Sequence, residues 1–396
     1  MNIFSIFAKS ILLCLRKLKI IFTNSSKFSL QLLCLLIYSL PSDMIFKKTL
    51  SPAVSIIKLV IIFFFYSDIS YSQETYNKFF KDEKGIVSIM YHRFNEDKYP
   101  STNINMEIFI KQIELINKLE INFVNPDKFH LNFDNIKNKK EILITIDDAF
   151  KSFYENAWPF LKEKKIPFIL FVSTEAVGKY GYMNWNQIKE IEKEDFAFIG
   201  NHSHSHEYLV DYSFSKFKKD IDKSINIFNK NIGYNPIFFS YPFGEYSLEQ
   251  KKYISNKFKF AFGQNSGVID LNKDKFELPR FPINEKYGDL DRFNFLIKLF
   301  PLEYKSIIPD DKHITKNNNP PKTIIEFFKD QKNLDKISCF SNEGNGWDKS
   351  KISLIENKLY IEFRNKFNFR RGRVNCSLND DIGWRWLGIQ FSIDQN

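Results

Sequence analysis

Asp147 and Asp148 follow directly on the apolar run Ile142-Leu-Ile-Thr-Ile146, so two carboxylates arrive where a buried strand should be ending. Alone, an Asp-Asp pair is the composition of a surface turn. Residues 196–206, Phe-Ala-Phe-Ile-Gly-Asn-His-Ser-His-Ser-His, then place three of the chain's six histidines, His202, His204 and His206, just behind another apolar run. Neutral imidazole and carboxylate together suit Zn²⁺, and a catalytic zinc site commonly takes three protein ligands and keeps a position for water. Continued as a strand, the three histidines would share a face; turned helically after Gly200, His202 and His206 would align at i and i+4 while His204 points away. Period alone leaves both open.

The elements that must position these groups alternate. Short apolar runs at 86–91, 142–146, 168–173, 196–199, 238–241 and 260–263 are candidate strands, and the segments 107–119, 155–164, 186–193, 215–229 and 248–258 between them have helical apolar spacing. Strand and helix in alternation argue for parallel βαβ units, in a doubly wound sheet or a barrel, where active residues gather at the carboxyl ends of the strands. After Pro301 the texture changes. Asp310 to Lys322 (DDKHITKNNNPPK) has the composition of a linker, and beyond it apolar runs at 352–355, 358–363 and 387–393 separated by turn residues suggest a small β-rich domain.

Three motifs, TIDD at 145–148, NHSHSH at 201–206 and YPFG at 241–244, resemble in order and spacing those of the polysaccharide deacetylases (carbohydrate esterase family 4, the nodulation-protein-B homology domain). The flanking YHR at 91–93, MNW at 183–185 and LPRFP at 278–282 are similar to a branch acting on poly-N-acetylglucosamine-like glycans. The resemblance spans roughly residues 86–290. It implies an α/β fold, a distorted (β/α)₇ barrel, with a divalent metal, Zn²⁺ by its donor set, held by Asp148, His202 and His206. It further implies Asp147 as general base, the Phe243 backbone N–H as oxyanion donor in a turn fixed by Pro242 and Gly244, and Trp185, Tyr241 and Pro242 at the substrate. Trp185 serves equally well as a core residue.

Two positions depart from the family pattern. Ser240 stands where an Arg usually orients the base, and Arg280 in LPRFP is the candidate replacement from another strand. LPR also lacks the His that usually acts as general acid; His92, at the end of the run Ile86–Tyr91, is the candidate acid because that strand should end on the face carrying Asp147.

The full chain has 396 residues, 43% apolar and 26% charged, which argues against wholesale disorder and a polytopic membrane protein. Its 43 Phe against 14 Gly and 14 Pro read as compositional drift. Of the net charge of +10, residues 1–72 carry +6, leaving a solvated surface rather than a nucleic-acid face on the remainder. Residues 44–72 have the layout of an export signal: Met44-Ile-Phe-Lys-Lys, the apolar run Leu59–Tyr66, and Ser70-Tyr-Ser72. Cleavage near Gln73 gives an exported, periplasmic or cell-envelope protein; uncleaved, the segment attaches the chain to the membrane. The expected organisation is thus extension and signal or anchor (1–72), deacetylase domain (73–300), linker (301–322) and β-rich domain (323–396).

Cys339 and Cys376 are the only thiols after residue 72, and the sequence leaves open whether they pair. Trp347, Trp384 and Trp386 with Arg371, Arg373 and Arg385 would make either a sugar-stacking surface or an ordinary core. The function read from these residues is removal of N-acetyl groups from amino-sugar units of a polysaccharide or oligosaccharide, with an N-acetylated glycan as partner and no nucleic acid. Its rivals are the same fold acting on a small non-sugar amide, and a glycan-binding protein on a decayed hydrolase.

Overall fold

The computed structural model describes residues 85–132 and 140–395; the expected export signal, residues 44–72, lies outside them. The central sheet is built from β1 (Ile86–Tyr91), β2 (Glu141–Ile146), β3 (Phe168–Val172), β4 (Ala197–Asn201), β5 (Phe238–Ser240), β6 (Phe260–Phe262), β7 (Val268–Ile269) and β8 (Phe281–Pro282). Its order is β7-β1-β2-β3-β4-β5-β6, with β8 also on β1 and Asn122–Phe123 on β2. All pairs are parallel except β7 with β1. Every residue of β1 and β3 is buried, as expected of strands covered on both faces, whose sequences read as continuous apolar runs. A single bridge, Phe262 to Leu278, carries the far edge back toward β8. The sheet therefore curls, with a bridge rather than a ladder at its last junction.

The crossover helices are α1 (Met106–Lys118), α2 (Pro126–Asn132), α3 (Trp158–Lys164), α4 (Trp185–Glu192), α5 (Phe214–Ile232), α6 (Leu248–Ser255) and α7 (Leu290–Leu296). In α5 the residues Phe217, Asp220, Ile221, Ser224 and Phe228 form the buried stripe; the Ser213 side chain caps the start and Gly233, in left-handed backbone, ends it. The segment expected as one helix over 155–164 opens instead with a π turn, Phe153–Ala157, before α3 begins.

Beyond α7 come β9 (Phe300–Pro301), β10 (Ser306–Ile308), β11 (His313–Ile314), β12 (Thr323–Glu326), β13 (Ser338–Asn342), β14 (Asp348–Lys349), β15 (Lys351–Ile355), β16 (Lys358–Glu362), β17 (Arg371–Asp380) and β18 (Gly383–Ile393). They form two sheets, β9-β18-β17-β13-β14 with β11 also on β18, and β10-β12-β16-β15. Between them Ile307, Ile325, Phe327, Leu359, Val374, Leu387 and Phe391 make a buried cluster. A Cys339–Cys376 disulfide joins directly paired positions of β13 and β17.

The expected linker is not one. Residues 301–322 contribute β10 and β11, and β9 and β11 both pair with β18. Main-chain groups make those ladders whatever the side chains, so Asn- and Pro-rich composition misled here. These sheets share one compact unit, Lys78–Asn396, with the α/β part. Among the described residues no helix is long and apolar enough to cross a membrane.

Candidate active site

Parallel register gathers the chemistry at one end of the sheet. Tyr91 pairs with Ile146 and accepts from the Asp147 N–H at 2.9 Å, so His92 and Asp147 leave β1 and β2 side by side. Val172 pairs with Asn201 and accepts from the His202 N–H at 3.0 Å. Ser240 pairs with Phe262, whose carbonyl takes the Tyr241 N–H. Each functional segment starts where a ladder stops.

Neither strand nor helix brings His202 and His206 together. Residues 202–208 form a loop in which Ser203 (φ 68°) and His206 (φ 53°) adopt left-handed backbone. The loop is held from below by α5: the Asp220 carboxylate accepts from the N–H groups of His204 (2.9 Å) and Ser205 (3.1 Å). Asn201 Nδ2 donates to Ser224 Oγ at 2.9 Å, and Asn201 Oδ1 accepts from the Ser203 N–H at 2.8 Å. Gly200 is required by packing, since a Cβ there would lie 2.3 Å from the Phe171 ring. His204 turns away from this cluster, its Nδ1 2.9 Å from Thr174 Oγ1.

Three ligand atoms converge. His206 Nε2 lies 3.1 Å from Asp148 Oδ1 and 3.1 Å from His202 Nε2, and His202 Nε2 lies 3.6 Å from Asp148 Oδ1. Tetrahedral zinc with bonds of about 2.0–2.1 Å separates its ligands by roughly 3.3 Å, so the triangle fits such an ion. His202 Nδ1 is 2.7 Å from the Ser240 carbonyl. A carbonyl only accepts, so the proton sits on Nδ1 and Nε2 presents its lone pair to the cluster. Burial pushes His202 down to about 4 against the pull of Asp147, keeping it neutral. Burial alone would raise the Asp148 carboxyl, but the adjacent His206 holds it far below the usual carboxylate range. Asp148 itself has left-handed backbone, φ 74°.

Asp147 is fully buried and belongs to a different network. Arg280, equally buried, donates from Nη1 to Asp147 Oδ1 (2.7 Å) and from Nη2 to Oδ2 (2.9 Å). Its other N–H groups reach Ser240 Oγ (2.8 Å), Thr145 Oγ1 (3.2 Å) and the Gly263 carbonyl (2.9 Å). All five guanidinium donors are thereby used. Burial would raise the Asp147 carboxyl, and Arg280 more than offsets it, so Asp147 stays ionised below its ordinary range. Ser240 accepts from the arginine whose place it occupies in the motif. His92 is half-buried within electrostatic reach of Asp147, Asp148, Arg280 and His206; burial lowers its pKa.

Phe243 has left-handed backbone (φ 59°, ψ 4°), and its ring meets His206 edge-on at 4.9 Å. Two motif residues expected at the substrate, Tyr241 and Pro242, are buried. The Tyr241 ring is buried against Phe239 and Tyr246, and Pro242 is buried too, because the chain turns inward before Phe243. Trp185 is half-buried and packs edge-on against Phe228 of α5 at 5.8 Å. Trp386 donates to Ser266 Oγ at 2.9 Å, and Arg385 pairs with Asp380 rather than lining a sugar surface. Asp220 and Ser224 escaped the sequence reading, where a polar residue at a buried position of a helical stripe was the available signal, and Asn201 was read only as the first residue of the NHSHSH motif.

Residues 134–261 match the family model described as polysaccharide deacetylase. This part of the chain belongs to the polysaccharide deacetylase family. The poly-beta-1,6-N-acetyl-D-glucosamine N-deacetylase of Staphylococcus epidermidis is 27% identical to this chain over 174 residues, covering 40% of this chain and 58% of that protein. Its Staphylococcus aureus counterpart is 28% identical over the same shares. The chain thus spans less than two thirds of these relatives' length. Among solved structures, the Streptococcus pyogenes deacetylase PplD has a TM-score of 0.50 at 22% identity, with 55% of this chain covering 99% of that one, a likeness of fold.

Proposed function

We propose that this protein is an exported, metal-dependent hydrolase that removes N-acetyl groups from the amino-sugar units of a polysaccharide or oligosaccharide. The observation that carries the reading is the Asp148–His202–His206 triangle beside a separate, Arg280-bound Asp147. The proposed fold of the α/β part is the distorted (β/α)₇ barrel, with the β-rich sheets that begin at β9 following it. The chemistry of the relatives named above supports an N-acetylglucosamine polymer as substrate.

Asp148, His202 and His206 would hold a divalent cation, zinc by its donor set, which would polarise the acetamide carbonyl and lower the pKa of the attacking water. Asp147 takes the water's proton; both its oxygens already accept from Arg280, which keeps the carboxylate oriented and ionised until the proton arrives. The Phe243 N–H donates to the tetrahedral oxygen. His92 protonates the departing amine, which leaves poorly otherwise.

The test is acetate release from chitin-like, peptidoglycan and exopolysaccharide oligomers after chelation and zinc return. Zinc-dependent release from a glycan is expected. Binding without release would make the protein a glycan-binding relative, and release only from small amides would replace the substrate class.

A further inference from the structure

A non-glycine residue keeps left-handed backbone only where its surroundings over-determine it. For Phe243 those surroundings come from β17 and β18, strands that follow it by more than a hundred residues. Gln390 of β18, itself buried, donates from Nε2 to the carbonyls of Phe243 (3.0 Å) and Gly244 (3.2 Å). Its Oε1 accepts from Arg373 Nε of β17 at 2.9 Å. Arginine only donates, so this contact fixes which end of the amide faces the loop. The Gly244 N–H in turn donates to the Tyr241 carbonyl at 2.9 Å, and the Phe243–Gly244 peptide is pinned at both ends.

The next residue, buried Glu245, accepts from Arg370 Nε at 2.9 Å and from Arg371, and Arg370 also reaches Asp211. Both arginines are balanced by carboxylates within the protein. Their guanidinium groups cover the aromatic pair beside the metal ligands: Arg370 lies 3.7 Å over the Tyr208 ring and Arg371 5.3 Å from Phe243, while the two rings stack at 4.2 Å. Gly388 lets β18 lie close against Ser266, since a Cβ there would sit 2.3 Å from the Ser266 carbonyl oxygen.

We infer that the β17–β18 hairpin is a working part of the hydrolytic site and that Gln390 is its positioning residue, fixing the Phe243–Gly244 peptide and with it the left-handed backbone of Phe243, whose own N–H in the preceding peptide is the proposed oxyanion donor. This inference rests on the deacetylase reading for its kinetic consequence, but its structural half stands apart.

Gln390→Glu keeps the size and turns the donor into an acceptor, and Gln390→Met removes the donor without adding charge. In the full-length protein both variants should lower kcat for acetate release roughly 10- to 100-fold, the effect of misplacing one reacting group. KM, bound zinc and the thermal midpoint should stay near wild type, and amide exchange at residues 243–245 should accelerate. Wild-type kcat in both variants would overturn the inference, as would a loss that merely tracks lost zinc or lost folded protein. If the unaltered protein releases no acetate from any glycan, the proposed function falls, and exchange at 243–245 still decides: unchanged protection removes Gln390 from its role, and faster exchange supports it.

Discussion

Asp147 and Phe243 both lie beside the Asp148–His202–His206 cluster, but they are held in different ways. Asp147 is set by the strand it leaves and by Arg280, a guanidinium buried with it, so its position is inseparable from the core of the sheet. Phe243 takes its conformation from a hairpin whose Gln390 lies 147 residues further along the chain. Damage on the Asp147 side should therefore reach both chemistry and folding, and damage on the Phe243 side should reach chemistry first.

The largest effect expected is at the ligands. Asp148→Ala, His202→Ala and His206→Ala should each lose bound metal and turnover, while Asp147→Asn keeps metal and loses roughly 10²- to 10⁴-fold in kcat. Metal analysis of the purified variants checks this, and an Asp147→Asn protein without metal would merge the two networks distinguished here.

His92→Gln should retain metal and lower kcat by roughly 10²- to 10⁴-fold. A group acting as acid gives a rate that falls as pH rises through its pKa, so the alkaline limb of the pH–rate profile should vanish with it. A nearly normal kcat would remove His92 from the mechanism.

Arg280→Met leaves a buried carboxylate without its partner and should destabilise the fold by about 3–5 kcal/mol, read by urea unfolding. The pH dependence has a definite sign. Asp147 titrates below its unfolded value, so its pairing stabilises at neutral pH, weakens below about 3.9 and is lost as pH falls through the folded pKa. The substitution should flatten that acid limb of the stability curve.

Replacing Cys339 and Cys376 together by Ser opens a loop of separation 37 and should cost about 2–4 kcal/mol in unfolding experiments. If the hairpin positions Phe243, kcat should fall before the α/β part unfolds; kcat unmoved while the C-terminal sheets melt would separate the two regions.

The smallest effect belongs to His204→Ala. It removes a hydrogen bond to Thr174 and should cost about 0.5–1.5 kcal/mol, with metal and kcat largely retained.

The parallel strands were legible because burial on both faces makes their sequences continuously apolar: β1 coincides with the apolar run 86–91, and β2 to β6 begin or end within two residues of theirs. β17 was not among the expected strands although Gly372, Val374, Cys376 and Leu378 are buried on strict alternation, because its intervening Arg, Asn and Ser residues break up any apolar run. The site types were legible for a similar reason, since carboxylate and imidazole behind apolar runs have few structural uses. The strain was not. Asp148, Ala149, Ser203, His206 and Phe243 all adopt left-handed backbone, and although Asp and His tolerate it better than most, the types of Ala149, Ser203 and Phe243 do not announce it.

By itself the sequence determined which chemical groups are present and which strand ends deliver them, because alternation and apolar runs are local properties of the chain. Only the tertiary structure decided that Arg280 grips Asp147, that α5 shapes the histidine loop through Asp220, and that a C-terminal hairpin holds the Phe243 peptide. Each of these joins residues remote in sequence through buried hydrogen bonds, and a buried donor finds its acceptor by proximity in space, which no spacing along the chain encodes.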